Sequence, residues 1–225
     1  SSSFTVALLK ALYGYNNHFV SAYKVAKEAC DVEINQLGNP IGKQDQFAAA
    51  FGGLRYYEFE PDGFVKVEPI LMGKAARKHL ENSMMLFYTG ALHDANKILG
   101  EETKNLASAN EKINATIELC KMTRELKTHL ESNDVDAIGP CLKKGWEIKK
   151  SLASGISNPL IDDGYERGIK AGASGGKLLG AGGGGFLLFY VPDEAKRASV
   201  RDALRDLKEM PFELDQSGAS IVYTE

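Results

Sequence analysis

The sequence predicts a chain of mixed helices and strands, with a polar stretch at residues 73–82 as the candidate domain boundary. Three observations predict this. Apolar residues recur at helical spacing in several long segments. Residues 55–60 and 64–68 alternate on either side of Pro61-Asp62-Gly63, which is the pattern of a hairpin. Residues 186–191 are six apolar side chains in a row and read as a strand buried on both faces. The length of 225 residues suits two compact units as well as one, and 44% hydrophobic residues supply a sizeable core.

Taken in order, Phe4, Leu8, Ala11, Leu12 and Tyr15 predict an amphipathic helix over 3–14 with that stripe inward. Its first turn carries Ser1, Ser2 and Ser3. One serine there is explained as a cap, whereas three at the positive end of a helix also suit a phosphate or a metal–phosphate pair. A second helix over 17–34 places Phe19, Tyr23, Ala26, Cys30 and Glu33 on one face, so a carboxylate terminates a buried stripe. Glu33 is then either a metal ligand or a helix end swung into water. A Gly/Pro-rich turn leads to a short alanine-rich helix stopped by Gly52-Gly53. Asp45 falls in its first turn, where the ordinary role is a cap, and Lys43 two residues earlier would keep it ionised.

After the hairpin, 83–89 is a strand, followed by helices over 92–101, 110–131 and 135–154. Asn158 caps a helix opened by Pro159 and running to 171. Asp193 starts a helix to about 208, and extended segments 212–214 and 219–224 complete a C-terminal sheet. His79, His93 and His129 show no metal spacing.

Residues 172–191 include eight glycines in twenty. Gly180-x-Gly182-x-x-Gly185 imitates a dinucleotide fingerprint, but that motif follows a strand and opens a helix, and here a strand comes after. No Gly-Lys-Ser/Thr closes the run, so it is not a P-loop. Two readings stand: a tight turn, or a close-approach site whose backbone N–H groups reach an anion.

A net charge of −3 without a basic stripe argues against nucleic acid or an anionic membrane as the main partner, leaving small-molecule chemistry. Cys30, Cys120 and Cys141 lack a CxxC spacing and read as buried thiols in a reducing compartment. No apolar run approaches the roughly 18 residues of a membrane span, which makes the cytoplasm the default location. The chain is helical from its first residues, which few domains are, so an N-terminal portion is expected to precede it.

The serine-rich helix start, the Gly38-Asn39-Pro40-x-Gly42-x-x-Asp45 segment behind Glu33, and the Lys177-Leu-Leu-Gly-Ala-Gly-Gly-Gly-Gly-Phe-Leu loop together resemble the GHMP kinases. Within that superfamily, residues 42–53 and 175–185 are most similar to heptose kinases acting on the anomeric hydroxyl of D-glycero-D-manno-heptose 7-phosphate, with L-fucose kinases close by. The resemblance implies an α+β fold of two domains. Residues 1–76 would be the remainder of an N-terminal domain with a β-α-β crossover, and 77–225 a ferredoxin-like C-terminal domain. It implies ATP and Mg²⁺, with Asp45 as catalytic base and Glu33 and Ser1 on the metal. Ser1, Ser2, Ser3, Gly180, Gly182, Gly183 and Gly184 would face the nucleotide phosphates, and Lys43, Gln44 and Gly182 the sugar phosphate. A homodimer is one assembly the resemblance allows. The Gly-Leu-Gly that precedes the family's serines is absent here, so a protein starting at Ser1 is expected to bind ATP weakly. His93 stands where close relatives are expected to have arginine.

Overall fold

The computed structural model describes residues 2–90, 95–211 and 213–222. The chain forms two compact units, Ser1–Ile70 with Leu214–Glu225, and Leu71–Glu213.

In the first unit, α1 (Ser2–Tyr15), α2 (Ala22–Cys30) and α3 (Gln44–Phe51) pack together beside an antiparallel hairpin of β1 (Arg55–Phe59) and β2 (Val65–Pro69). Ser21 starts α2 by accepting from the Lys24 N–H, and the last turn of α2 widens into a π-helical segment, Asp31–Gln36. The core is Val6, Val20, Val25, Ala26, Ala29, Cys30, Phe47, Ala50 and Val65, with the Phe47 ring meeting Tyr23, Phe51 and Tyr57.

The predicted face of α1 is corrected here. Phe4 is 72% exposed, and Leu8, Leu12 and Tyr15 are also exposed, whereas Val6 is fully buried. Ser2, Val6, Leu9 and Tyr13 form the packed stripe instead, because this helix is apolar on more than one side and periodicity does not choose between stripes. Phe19 is exposed for a different reason: it precedes α2, in a turn where Asn17 adopts a positive φ of 54°. Among the described residues of this unit the strands are those of the antiparallel hairpin β1–β2, not of the β-α-β crossover implied by the resemblance.

The segment expected to complete the C-terminal sheet belongs to the first unit. The Gly53 N–H donates to the Asp215 carbonyl, Ala219 joins the core, and a β-carbon on Gly52 would meet the Gly218 backbone. Residue 212 and residues 223–225 of that expectation lie outside the described residues.

The second unit contains α4 (Lys74–Ser83), β3 (Met84–Tyr88), α5 (Ala95–Ser108), α6 (Asn110–Glu131), α7 (Ile138–Lys150), α8 (Pro159–Lys170), β4 (Gly175–Leu178), β5 (Phe186–Tyr190), α9 (Glu194–Ala203) and β6 (Lys208–Met210). The sheet order β4-β5-β3-β6 is antiparallel throughout. Counting strands within this unit gives 4-1-3-2 read from β6, the ferredoxin-like arrangement. The polar stretch 73–82 is mostly helix α4, and the glycine-rich stretch contains its own strand, β4, ahead of the loop. Met85, Phe87, Leu187 and Phe189 point from the sheet into a core with Trp146, Ile161, Tyr165, Val200 and Leu204. Asn158 caps α8 by accepting from the Leu160 and Ile161 N–H groups.

Of the cysteines only Cys30 is buried; Cys120 is exposed and Cys141 partly so, which corrects the reading of all three as buried thiols. Among the described residues no helix is long and apolar enough to cross a membrane.

Candidate active site

Glu33 sits in the π-helical segment and is 1% exposed, which removes the reading of a helix end swung into water. Wide turns of this kind occur often at functional sites. One carboxylate oxygen accepts from Thr5 Oγ1 at 3.3 Å and the other from Gln46 Nε2 at 2.5 Å. Gln46 is fully buried, and its Oε1 has no hydrogen-bond partner. Burial pushes the neighbouring Cys30 thiol up to about 11, and the Glu33 charge adds to this against the opposing effect of Lys43.

The donors gathered here are oxygens: a carboxylate, an amide Oε1 and a hydroxyl. Oxygen ligands of this kind suit Mg²⁺, which is ordinarily held by one or two carboxylates and keeps several waters. Among the described residues no group of three or more His, Cys, Asp or Glu could hold a metal by itself. The residues present therefore fit a hydrated Mg²⁺ rather than a closed cage.

Asp45 is one residue before Gln46, in the first turn of α3, and is exposed. It does not cap the helix: the N-cap is Lys43, without a side-chain bond. Nor does Lys43 pair with it, since Lys43 Nζ donates to the Gly63 carbonyl at 3.3 Å. Gln44 is exposed beside them. The Asp45 carboxylate is thus uncommitted within the described structure and open to an incoming group. Ser2 is buried at the start of α1 and Ser3 exposed, while Ser1 and His93 lie outside the described residues.

The glycine loop belongs to the second unit. The Gly183 N–H donates to the Ile156 carbonyl at 3.0 Å, and its own carbonyl accepts from Asn158 Nδ2 at 3.1 Å. Gly185 is held by Thr89, whose backbone N–H donates to the Gly185 carbonyl at 2.9 Å and whose Oγ1 accepts from the Gly185 N–H at 3.1 Å. The N–H of Gly183, expected to face a phosphate, is therefore already used. The N–H groups of Gly180, Ala181, Gly182 and Gly184 have no partner among the described residues. A β-carbon on Gly182 would lie 2.6 Å from the Ile156 Cα, so the loop lies directly on that backbone.

Thr5, Gln46, Thr89 and the second role of Asn158 were not legible in sequence. Only Gln46 carried a signal. A glutamine three places after an N-cap usually reaches back to the cap, and the cap here is a lysine with nothing to reciprocate.

Residues 1–53 match the GHMP kinases N terminal domain and residues 122–209 the GHMP kinases C terminal. The chain belongs to the GHMP kinases, a family of ATP-dependent phosphotransferases with sugars or related alcohols as acceptors. It is 33% identical over 206 residues to D-glycero-alpha-D-manno-heptose 7-phosphate kinase of Campylobacter jejuni, covering 91% of this chain and 60% of that protein. A crystal structure of a D-glycero-D-manno-heptose 1-phosphate kinase from Bacteriodes thetaiotaomicron superposes with TM-score 0.70 at 29% identity, over 99% of this chain and 63% of that one. A putative sugar kinase from Campylobacter jejuni gives TM-score 0.75 at 30% identity, over 97% and 62%. The chain thus spans about three fifths of the length of these relatives.

Proposed function

We propose that the protein is an ATP-dependent sugar kinase that phosphorylates the anomeric hydroxyl of a heptose phosphate, D-glycero-D-manno-heptose 7-phosphate. The observation that carries the reading is the pairing on one short helix of Gln46, turned inward to a buried Glu33, with Asp45, exposed and uncommitted. The heptose follows from the similarity to the Campylobacter jejuni enzyme.

Phosphoryl transfer is mainly positioning and charge neutralisation, so few groups need to react. Asp45 accepts or orients the proton of the sugar hydroxyl. Glu33 and Ser1 would hold Mg²⁺, with the buried amide of Gln46 beside Glu33, and the ion would supply charge neutralisation to the triphosphate. The free N–H groups of Gly180, Ala181, Gly182 and Gly184 serve phosphate oxygens. Lys43 and Gln44 flank Asp45 on the acceptor side. The partners are therefore ATP and a small sugar phosphate.

The test is coupled ADP release by the full-length protein with heptose 7-phosphate, L-fucose, galactose and mevalonate. The heptose phosphate should be preferred, and Asp45→Asn should lower kcat by roughly 10² to 10⁴. Turnover of Asp45→Asn near wild type removes Asp45 from the role. Preference for fucose or another acceptor overturns the substrate.

A further inference from the structure

Gln46 is fully buried, and its side-chain carbonyl oxygen makes no hydrogen bond among the described residues. An ionised carboxylate only accepts, so the amide has to turn Nε2 towards Glu33, and this leaves Oε1 facing away without a donor. A buried acceptor without a partner costs about 1–3 kcal/mol. Such a group in a native structure calls for an explanation. The local explanation fails, because Gln46 does not return to the start of α3 but crosses to a residue 13 positions upstream. The helix itself gains nothing from that choice.

We propose that Gln46 is the positioning residue of the cation site: Nε2 fixes the rotamer of Glu33, and Oε1 accepts a hydrogen bond from a water of the hydrated divalent cation. This rests on the reading of Glu33 as a cation ligand given above. It gives the unused oxygen a donor that arrives only with the ion, and it gives the buried glutamine a purpose that an apolar residue of the same size would not serve. Partners that orient a ligand are worth roughly 10- to 100-fold in metal affinity.

The experiment is titration of the full-length protein with Mn²⁺ alone, followed by electron paramagnetic resonance of the free ion, beside thermal denaturation without metal. Gln46→Met keeps the volume and removes donor and acceptor together, and it also removes the unpartnered oxygen. It should weaken Mn²⁺ roughly 10- to 100-fold, and it should also lower the metal-free melting temperature, because the buried Glu33 carboxylate loses the Nε2 donor. Gln46→Asn keeps the amide but is one methylene short of Glu33. It should weaken Mn²⁺ similarly while lowering the melting temperature through the void it leaves. Val25→Ala, a core truncation in the same unit, is the control for stability alone. Mn²⁺ binding weakened in both Gln46 variants and unchanged in Val25→Ala supports the proposal; wild-type Mn²⁺ affinity in Gln46→Met, or affinity that tracks melting temperature across all three variants, overturns it and leaves Gln46 a core residue. Equal Mn²⁺ binding by wild type and Glu33→Gln would instead overturn the cation reading of Glu33.

Discussion

Substituting Gly182 by alanine separates two costs that the glycine loop combines. The new β-carbon would stand 2.6 Å from the Ile156 Cα, 2.9 Å from its carbonyl oxygen and 3.1 Å from its carbonyl carbon. All three are backbone atoms, so no rotamer change relieves the contact, and overpacking of this kind costs about 1–3 kcal/mol. The φ of +123° adds a backbone cost of about 1–3 kcal/mol for a residue with a side chain. Together these give a loss of about 2–6 kcal/mol. Gly180 is the control: its φ is +83°, but nothing lies within 4 Å of the β-carbon position. Gly180→Ala should therefore lose only the backbone part. At about 2–4 °C per kcal/mol for a protein of this size, Gly182→Ala should lower the melting temperature by about 4–24 °C, and Gly180→Ala by clearly less. Thermal denaturation followed by circular dichroism measures both. A Gly182→Ala protein as stable as wild type, or less affected than Gly180→Ala, would refute the account of the loop as backbone resting on Ile156.

Asn158→Asp keeps an oxygen to cap α8 but no longer donates to the Gly183 carbonyl, so it should cost about 1 kcal/mol by urea denaturation, while Asn158→Ala, losing the cap as well as the Gly183 bond, should cost about twice that. Asp136 is held below the usual carboxylate range, first by the buried Tyr190 hydroxyl at 2.6 Å and then by His79. A depressed carboxyl contributes stability that is present above its unfolded value near 3.8 and is lost as pH falls through the lower folded value. Asp136→Asn should therefore be slightly less stable than wild type at neutral pH, since the exposed carboxylate is screened by solvent, with the difference closing in acid. The Cys30 thiol, buried and raised to about 11, should be alkylated far more slowly than exposed Cys120 at mildly alkaline pH, as mass spectrometry of partly labelled protein would show.

What the sequence made legible was whatever depends on near neighbours. The start of α8 follows from Asn158-Pro159, the hairpin from Pro61-Asp62-Gly63 between alternating residues, and the stop of α3 from Gly52, because caps and turns are settled within a few positions. The inward face of α1 was not legible, since Phe4-Leu8-Leu12 and Val6-Leu9-Tyr13 are both apolar stripes and only tertiary contacts distinguish them. The same holds for the last residues, whose path to Gly53 and Gly14 reflects packing across most of the chain length.

Spacing placed Glu33 on the buried stripe of α2, but whether a terminal carboxylate stays inside depends on partners that spacing does not reveal. Among the described residues those partners include Thr5 and Gln46, 28 and 13 residues away. Successive helical side chains diverge by about 100°, since a turn takes 3.6 residues. A helix that turns Gln46 inward to Glu33 therefore turns Asp45 away from it, which is why one is fully buried and the other exposed. On the proposed function, the adjacency of Asp45 and Gln46 is a geometric device: a single short helix keeps one carboxylate in place inside the unit while leaving another free for an acceptor outside it. A one-residue shift in α3 would lose both functions together.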